Sequence, residues 1–303
     1  MDSLPLYLAG HWARYRLTGQ RRPLLAGFKL THRCNLRCRT CPFWRRPRPD
    51  LSFDAVQAAL DELYRAGCRI LVLEGGEPFL WRDGERRLDD VIAAARARGF
   101  KRVGVTTNGT LPIAVAADIV WISLDGLRAS HEANRGPVWD TVMANLAASK
   151  HPRIFVQMTI TRENWREAPE LIRLLAGRVA GVTIQFFYPF PESDDLWLPW
   201  PERRQVLREL AALKRAGYPV VDSYPVLRAL EDNSWRCHDW LIADAEPGDD
   251  PSAAVIHYGC YLKGRAAVDC RRCGFAAHAE LSLAYDLNPG ALLTGQRVFR
   301  LLS

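Results

Sequence analysis

The hydrophobic pattern between residues 24 and 190 alternates short apolar runs with segments of helical spacing. The apolar runs predict six strands, at 24–30, 69–73, 102–107, 119–124, 154–160 and 182–187. Between them, apolar residues three and four positions apart predict helices, such as the one that begins after Ser52 and ends at Gly67. Strands that alternate with helices predict an α/β fold, with a parallel sheet and right-handed crossovers.

Two other segments flank this repeat. Residues 4–17 predict a short amphipathic helix, which either packs under the sheet or meets a membrane surface. Residues 189–201 are rich in proline and tryptophan, and we place a domain boundary there. An amphipathic helix that ends at Gly217 and a strand at 219–222 are predicted to follow. The predicted division is an N-terminal basic segment (1–23), an α/β unit (24–200) and a cysteine-rich C-terminal domain (201–303).

Composition and charge narrow the class of protein. The chain has 303 residues, and its 48% hydrophobic content is ample for a packed core. It contains neither an apolar run of membrane-spanning length nor the pattern of a signal peptide, so we expect a cytoplasmic protein. Residues 1–50 hold eleven Lys and Arg against two Asp, a balance of +9 within a net charge of +7. No nucleic-acid-binding motif accompanies this charge, and no nucleic-acid partner is expected.

Three cysteines carry the clearest chemistry. Cys34, Cys38 and Cys41 form a CxxxCxxC loop directly after the first predicted strand. Three thiolates can bind three irons of one cubane cluster and leave the fourth iron open to another ligand, whereas electron carriers usually have four cysteines. A zinc site and chance clustering of the cysteines are the alternatives. Cys68 precedes a predicted buried strand, and we expect an inert, packed thiol there.

The CxxxCxxC spacing resembles that of the radical S-adenosylmethionine (SAM) superfamily. The resemblance implies a partial (β/α)6 TIM-like barrel, a [4Fe–4S] cluster on the three cysteines and SAM bound at the open iron. It also implies reductive cleavage of SAM to a 5′-deoxyadenosyl radical, with a reductant such as flavodoxin or ferredoxin. The family often has an aromatic adenine contact before the last cysteine, where this chain has Thr40, so Phe43 and Trp44 are the candidate replacements.

Further motifs follow the next strands. Glu74-Gly-Gly-Glu-Pro78 resembles the family's GGEP element, in which Glu77 would hold the amino group of SAM. Ser123-Leu-Asp-Gly126, with His131 and Asn134-Arg-Gly136, resembles an SLDG…H…RG pattern. That resemblance implies that Ser123 contacts SAM, that Arg135 pairs with the SAM carboxylate and that Asp125 lines the substrate pocket. Ordinary turns are the alternative for this motif and for Thr106-Thr-Asn-Gly109. The predicted cofactor-binding residues are Gly75, Gly76, Glu77, Thr107, Asn108, Ser123, Asp125 and Arg135, with Thr159 and Asn164 as weaker candidates.

The last third of the chain is rich in cysteine. Cys237, Cys260, Cys270 and Cys273 include one CxxC pair, a frequent sign of metal binding. The set resembles abbreviated SPASM or Twitch domains, which implies an auxiliary iron–sulfur cluster. A zinc site and a metal-free tail are the alternatives.

The resemblance leaves the substrate open. The tail resembles that of hopanoid-adenosylating and lipid-modifying relatives, which implies a lipid or isoprenoid-like substrate and peripheral membrane contact. The alternative is a maturase of the SPASM or Twitch type that acts on a peptide or a small metabolite. An iron–sulfur electron carrier or sensor is the non-enzyme alternative, but a carrier has no need of a GGEP element beside an open iron.

Overall fold

The computed structural model of the chain describes residues 3–188, 191–260 and 269–301. Its strands are β1 (Leu25–Lys29), β2 (Ile70–Glu74), β3 (Arg102–Thr107), β4 (Ile119–Ser123), β5 (Ile154–Ile160), β6 (Gly181–Phe186), β7 (Ile242–Pro247) and β8 (Ala254–Tyr258). Its helices are α1 (Leu4–Thr18), α2 (Phe53–Ala66), α3 (Leu88–Arg98), α4 (Arg128–Arg135), α5 (Trp139–Ala148), α6 (Ala168–Leu175), α7 (Trp200–Arg215), α8 (Tyr224–Ala229), α9 (Ala276–Tyr285) and α10 (Pro289–Phe299).

The strands form one sheet in the order β6-β5-β4-β3-β2-β1-β7-β8. Neighbours from β6 to β7 are parallel, and β7 with β8 is antiparallel. The six strands predicted from the hydrophobic pattern are confirmed, with ends that differ by no more than one residue. The fold is therefore the α/β partial barrel that the sequence predicts, extended beyond β1 by two strands.

The two faces of the sheet have different side chains, because successive residues of a strand point to opposite faces. The outer side chains pack against the helices in the main core, among them Phe28 of β1 and Leu73 of β2. The inner face is polar toward the C-terminal ends of the strands, where active sites of such barrels lie. The inner polar residues near this end include Lys29, Glu74, Thr106, Ser123, Gln157, Thr159, Thr183, Gln185, Asp244 and Glu246.

The opposite end of the barrel is closed by apolar packing. Trp121 and Phe155 lie on the inner face near the start of β4 and β5, where they form one buried cluster with Val298 of α10. Arg102 donates a 2.6 Å hydrogen bond to the carbonyl of Phe299, which ties the end of α10 to β3. Access to the polar inner face is therefore from the C-terminal ends of the strands.

The N-terminal helix α1 packs on the protein through its aromatic side. Trp12 donates its ring N–H to the carbonyl of Tyr285 at 3.0 Å, and the Tyr15 ring lies 4.7 Å from that of Trp240. Leu6 and Leu17 are exposed on the other side. The aromatic residues that suggested a membrane surface are thus occupied within the fold. No helix in the described ranges is long and apolar enough to cross a membrane.

The predicted strand at 219–222 is wrong, because Val220 makes a single parallel bridge to Val182. The segment instead covers the edge of β6: the N–H of Val182 donates to the carbonyl of Pro219, and that of Ile184 to the Asp222 carboxylate. Residues beyond 201 also supply β7 and β8, which extend the barrel sheet beyond β1. The same part of the chain contains helices α8 to α10.

Candidate active site

The CxxxCxxC loop begins five residues after β1 and lies over the polar end of the barrel. Its sulfurs face N–H donors from three parts of the chain. Leu36 donates its backbone N–H to Cys34 Sγ at 3.3 Å, and the Asn108 amide lies 3.7 Å from the same sulfur. Arg135 Nη1 lies 3.9 Å from Cys38 Sγ. Donors of this kind stabilise thiolates, so the environment of the sulfurs fits an iron–sulfur cluster.

Burial raises the pKa of two of the loop thiols, Cys34 and Cys38. Burial raises the pKa of Cys38 to about 11, although the positive charge of Arg135 opposes this shift. Burial also raises the pKa of Cys34, and the negative charges of Glu77 and Cys41 add to the effect. Metal binding deprotonates such ligands, so cluster assembly here is expected to release protons.

The two glycines after β2 allow this segment to lie against the start of the cysteine loop. A Cβ at Gly75 would lie 2.5 Å from the carbonyl oxygen of Thr31, and one at Gly76 would lie 2.6 Å from that of His32. The N–H of Gly76 donates to the Thr31 carbonyl at 2.6 Å. A side chain at either position would separate the GGEP segment from the cysteine loop, which explains why the residue type is glycine.

Glu77 is fully buried and held from three directions. Its carboxylate accepts hydrogen bonds from the Thr107 hydroxyl at 2.8 Å, the Asn108 N–H at 2.8 Å and the Phe79 N–H at 3.2 Å. Burial raises the pKa of Glu77, and these hydrogen bonds oppose the shift. Thr107 and Asn108 therefore orient Glu77, and Asn108 reaches Cys34 as well, so the segments after β2 and β3 meet at the cysteine loop.

Asp125 and Arg135 form a buried ion pair at 2.7 Å beside Cys38. Asp125 also accepts hydrogen bonds from the Asn134 amide at 2.7 Å and the Thr159 N–H at 2.9 Å. Asn164 donates to the Asp125 carbonyl at 2.9 Å. Asp125 is thus held by several protein donors, and its place on the wall of a substrate pocket stays a prediction.

Asn134 connects this ion pair to the cysteine loop, a link that the motif search missed. Its carbonyl accepts the N–H of Arg39 at 3.0 Å, and its side-chain oxygen accepts the N–H of Thr40 at 3.2 Å. The Thr40 hydroxyl lies 3.2 Å from the same oxygen. Thr40 stands where an aromatic residue was expected, and it makes a hydrogen bond to Asn134 of α4 instead. In the sequence, only the polarity of Thr40 could have indicated this contact.

The two candidate aromatic replacements point in different directions. Trp44 donates its ring N–H to the Cys38 carbonyl at 2.9 Å, and its ring lies 5.2 Å from the guanidinium of Arg37 and 4.6 Å from that of Arg45. The Phe43 ring faces the barrel interior, 5.3 Å from the Lys29 ammonium. Phe43 is thus the better placed of the two to meet a ligand inside the barrel.

Ser123 ends β4 on the inner face, next to Gln157 of β5 in the strand pairing.

Of the C-terminal cysteines, Cys237 and Cys270 are exposed, and Cys260 and Cys273 are partly buried. Within the described ranges, no three His, Cys, Asp or Glu side chains lie close enough to hold a single metal ion. Whether the C-terminal cysteines hold an auxiliary cluster or zinc remains a prediction.

A partial parallel barrel with three cysteines, a buried Glu77 and an Arg135 ion pair at its C-terminal end is the arrangement that the CxxxCxxC and GGEP resemblances imply. Comparison with known families agrees: residues 28–175 match the radical SAM superfamily. The matched segment is a radical SAM domain, and enzymes with this domain use a [4Fe–4S] cluster and SAM.

Among curated relatives, Pre-heme d1 synthase of Dinoroseobacter shibae is 35% identical over 167 residues, which are 48% of this chain and 39% of the relative. AlbA of Bacillus subtilis, an antilisterial bacteriocin subtilosin biosynthesis protein, is 34% identical over 126 residues, 38% of this chain and 27% of the relative. The chain thus spans less than half the length of these relatives. Among solved structures, one shows SuiB of Streptococcus suis bound to its precursor peptide SuiA, with a TM-score of 0.63 at 15% identity. The match covers 96% of this chain and 70% of the SuiB chain. At this identity the likeness shows the fold.

Proposed function

We propose that the protein cleaves SAM reductively and uses the resulting radical on a polar substrate, most plainly a peptide, held in the barrel. One observation carries the first part. Cys34 and Cys38 share one end of the barrel with Glu77 and Arg135, which the superfamily motifs assign to the amino and carboxylate groups of SAM. An electron carrier needs neither group.

Each group of residues in the site has a separate role. Cys34, Cys38 and Cys41 would hold the cluster, which when bound supplies the electron that cleaves SAM. Arg135 keeps its charge because Asp125 is a buried counter-ion, so a carboxylate near Cys38 meets a fixed positive group. Glu77 is held in place by Thr107 and Asn108 and can accept an ammonium. A low-potential electron donor such as flavodoxin or ferredoxin is the partner implied.

The inner wall of the barrel favours a polar substrate. The Thr183 hydroxyl donates to the Gln157 side chain at 2.7 Å, and the Gln185 amide lies 3.4 Å from the Thr159 hydroxyl. On the opposite wall, Lys29 pairs with Asp244 at 2.6 Å. A polar wall of this kind is less favourable for a hydrocarbon chain than for a substrate that can form hydrogen bonds with it. Amide and carbonyl groups of a peptide can satisfy them.

The names of two relatives favour a peptide substrate, and the name of a third favours a small metabolite. The SuiB structure contains a precursor peptide, and AlbA is named for the biosynthesis of a bacteriocin. Pre-heme d1 synthase is named for a heme precursor, which keeps a small-metabolite substrate as the rival within the polar class. The comparisons give no support to a lipid substrate, and two aromatic residues of α1, Trp12 and Tyr15, pack within the fold.

The substrate class can be tested by its effect on SAM cleavage. The purified, reconstituted protein would be assayed anaerobically for 5′-deoxyadenosine, alone and with three fractions of a cell extract: aqueous, protease-treated aqueous and solvent-extracted lipid. We expect the aqueous fraction to accelerate cleavage and protease treatment to remove the effect, because the polar wall fits a peptide. The Cys38→Ala variant controls for cleavage that is independent of the cluster.

Stimulation that survives protease treatment would replace the peptide with a small polar metabolite. Stimulation by the lipid fraction alone would contradict the polar-substrate proposal, while leaving SAM cleavage intact.

A further inference from the structure

The cysteine loop and the residues just after it carry a dense group of exposed arginines. Residues 33–50 contain six arginines against one aspartate, a balance of +5 within the net charge of +7 of the whole chain. All six arginines are exposed: Arg33, Arg37, Arg39, Arg45, Arg46 and Arg48. The strongest concentration of positive charge therefore lies on the loop that holds the three predicted cluster ligands.

Half of these charges are compensated within the fold and half are not. Three of the arginines have carboxylate partners, in the pairs Arg33–Asp50, Arg39–Glu163 and Arg48–Asp249. The other three are Arg37, Arg45 and Arg46, here called the arginine patch. Within the residues that the structure describes, none of the three forms an ion pair. Exposed charges without a local counter-charge attract an external anion.

Trp44 holds two of these charges over the cysteine loop. Its ring lies 5.2 Å from the Arg37 guanidinium and 4.6 Å from that of Arg45, and its N–H donates to the Cys38 carbonyl. Arg45 Nη1 lies 3.5 Å from the carbonyl oxygen of Cys41. Contact with an aromatic ring orders a long side chain before a partner arrives, which lowers the entropic cost of binding. The arginine patch is thus preorganised beside the backbone of two predicted cluster ligands.

We propose that the arginine patch is the docking surface for an acidic electron-donor protein of the flavodoxin or ferredoxin class. The inference rests on the proposed function, because only a redox centre on the cysteine loop needs a donor at this place. The donor gives up one electron and the cluster gains it, and no bond forms or breaks in this step. Electron-transfer complexes have small interfaces, so a patch of this size is sufficient. Opposite charges raise the rate of encounter.

The position of the patch favours a donor over other anionic partners. A substrate has to enter the barrel, where the Phe43 ring lies 5.3 Å from the Lys29 ammonium. The side chains of the arginine patch are instead exposed at the protein surface. Nucleic acids are usually bound through many phosphate contacts, and three arginines without ion pairs are few for that purpose.

The first test measures binding of an oxidised bacterial flavodoxin to the reconstituted full-length chain by titration calorimetry. The variant of the arginine patch replaces all three residues: Arg37→Gln, Arg45→Gln and Arg46→Gln. We expect its Kd to rise about tenfold or more at low ionic strength, because the steering charges are lost. The difference should shrink at high salt, which screens exposed charges. Lysine at the same three positions should preserve most of the affinity, since it preserves the charge.

A matched control removes the same charge elsewhere. Three exposed arginines lie at the end of the barrel where the strands begin, and the control variant carries Arg21→Gln, Arg178→Gln and Arg215→Gln. We expect this variant to bind flavodoxin as the parent does, because net charge alone does not place the donor at the cysteine loop.

The second test measures electron transfer itself. Bleaching of the visible absorbance of the cluster would be followed anaerobically with enzymatically reduced flavodoxin as the donor. The arginine-patch variant should bleach about tenfold or more slowly than the parent and the control variant. SAM cleavage with saturating dithionite should be unchanged in both variants, because a small reductant needs no docking surface.

Equal affinity of the arginine-patch and control variants for flavodoxin would overturn the inference, as would failure of the parent to bind either flavodoxin or ferredoxin. Tighter binding of the parent to a single-stranded oligonucleotide or to anionic vesicles, lost in the arginine-patch variant, would assign the patch to that partner instead and also overturn it. Absence of SAM cleavage by the parent with dithionite would contradict the proposed function, whereas the binding measurements report on the surface.

Discussion

Replacing Cys38 with alanine is expected to abolish SAM cleavage. Cys38 is the most buried of the three loop cysteines, and Arg135 is directed at its sulfur. Each thiolate binds one iron, so the variant keeps too few ligands for a stable cubane and should contain about four irons fewer per chain. The measurements are 5′-deoxyadenosine formed under anaerobic reduction and iron per protein.

Cys68 provides the matched control for this substitution. It is a fully buried thiol in the main core, and burial raises its pKa to about 12, so it is inert. Cys68→Ala removes a cysteine of similar burial away from the loop and should leave both iron content and SAM cleavage unchanged. Undiminished cleavage by Cys38→Ala would show that the loop cysteines do not hold the catalytic cluster.

Replacing Asp125 with asparagine is expected to damage both stability and SAM binding. The substitution preserves shape but leaves the Arg135 guanidinium buried without its counter-ion, at a cost of about 3–5 kcal/mol in the free energy of unfolding. An asparagine has only one acceptor oxygen, so it cannot accept both the Thr159 N–H and the hydrogen bonds that position Asn134 and Arg135 beside the cysteine loop. Denaturant unfolding measures the first effect, and the KM for SAM, which should rise, measures the second.

An exposed ion pair in the same region separates this effect from a general loss of charge. Asp140 pairs with Arg128 on the protein surface, and it accepts hydrogen bonds from the two terminal guanidinium nitrogens, Nη1 and Nη2. Asp140→Asn should change neither the free energy of unfolding nor the KM for SAM measurably, because exposed pairs contribute little. Equal behaviour of the Asp125 and Asp140 variants would argue against a structural role for the buried pair.

The strands of the barrel could be predicted because their outer faces are continuous hydrophobic surfaces. Sequence patterns did not reveal β7, where outward-facing Ala243 and Ala245 alternate with inward-facing Asp244 and Glu246. Small and acidic residues are weak strand signals, and here pairing with β1 decides the structure. Residues 219–222 show the opposite failure, since a local apolar pattern there forms only one bridge.

Some features of the candidate site can likewise be recognised in the sequence, and others only in the structure. The spacing of Cys34, Cys38 and Cys41 and the GGEP element are local in sequence, so they could be recognised without coordinates. The contact of Asn134 with Thr40 spans 94 positions and depends on how α4 lies over the cysteine loop. The basic charge of residues 1–50 is visible in the sequence, but only the structure shows that Arg37 and Arg45 lie over the Trp44 ring, which contacts Cys38.

The most direct test of the central claim is the electron paramagnetic resonance spectrum of the reduced protein, recorded with and without SAM. If Cys34, Cys38 and Cys41 hold a cluster with an open iron beside Glu77 and Arg135, adding SAM should change the g-values of the reduced cluster. A variant with the three cysteines replaced by alanine should show no such change, even if its C-terminal cysteines keep a cluster. A wild-type spectrum that is identical with and without SAM would contradict the proposed site.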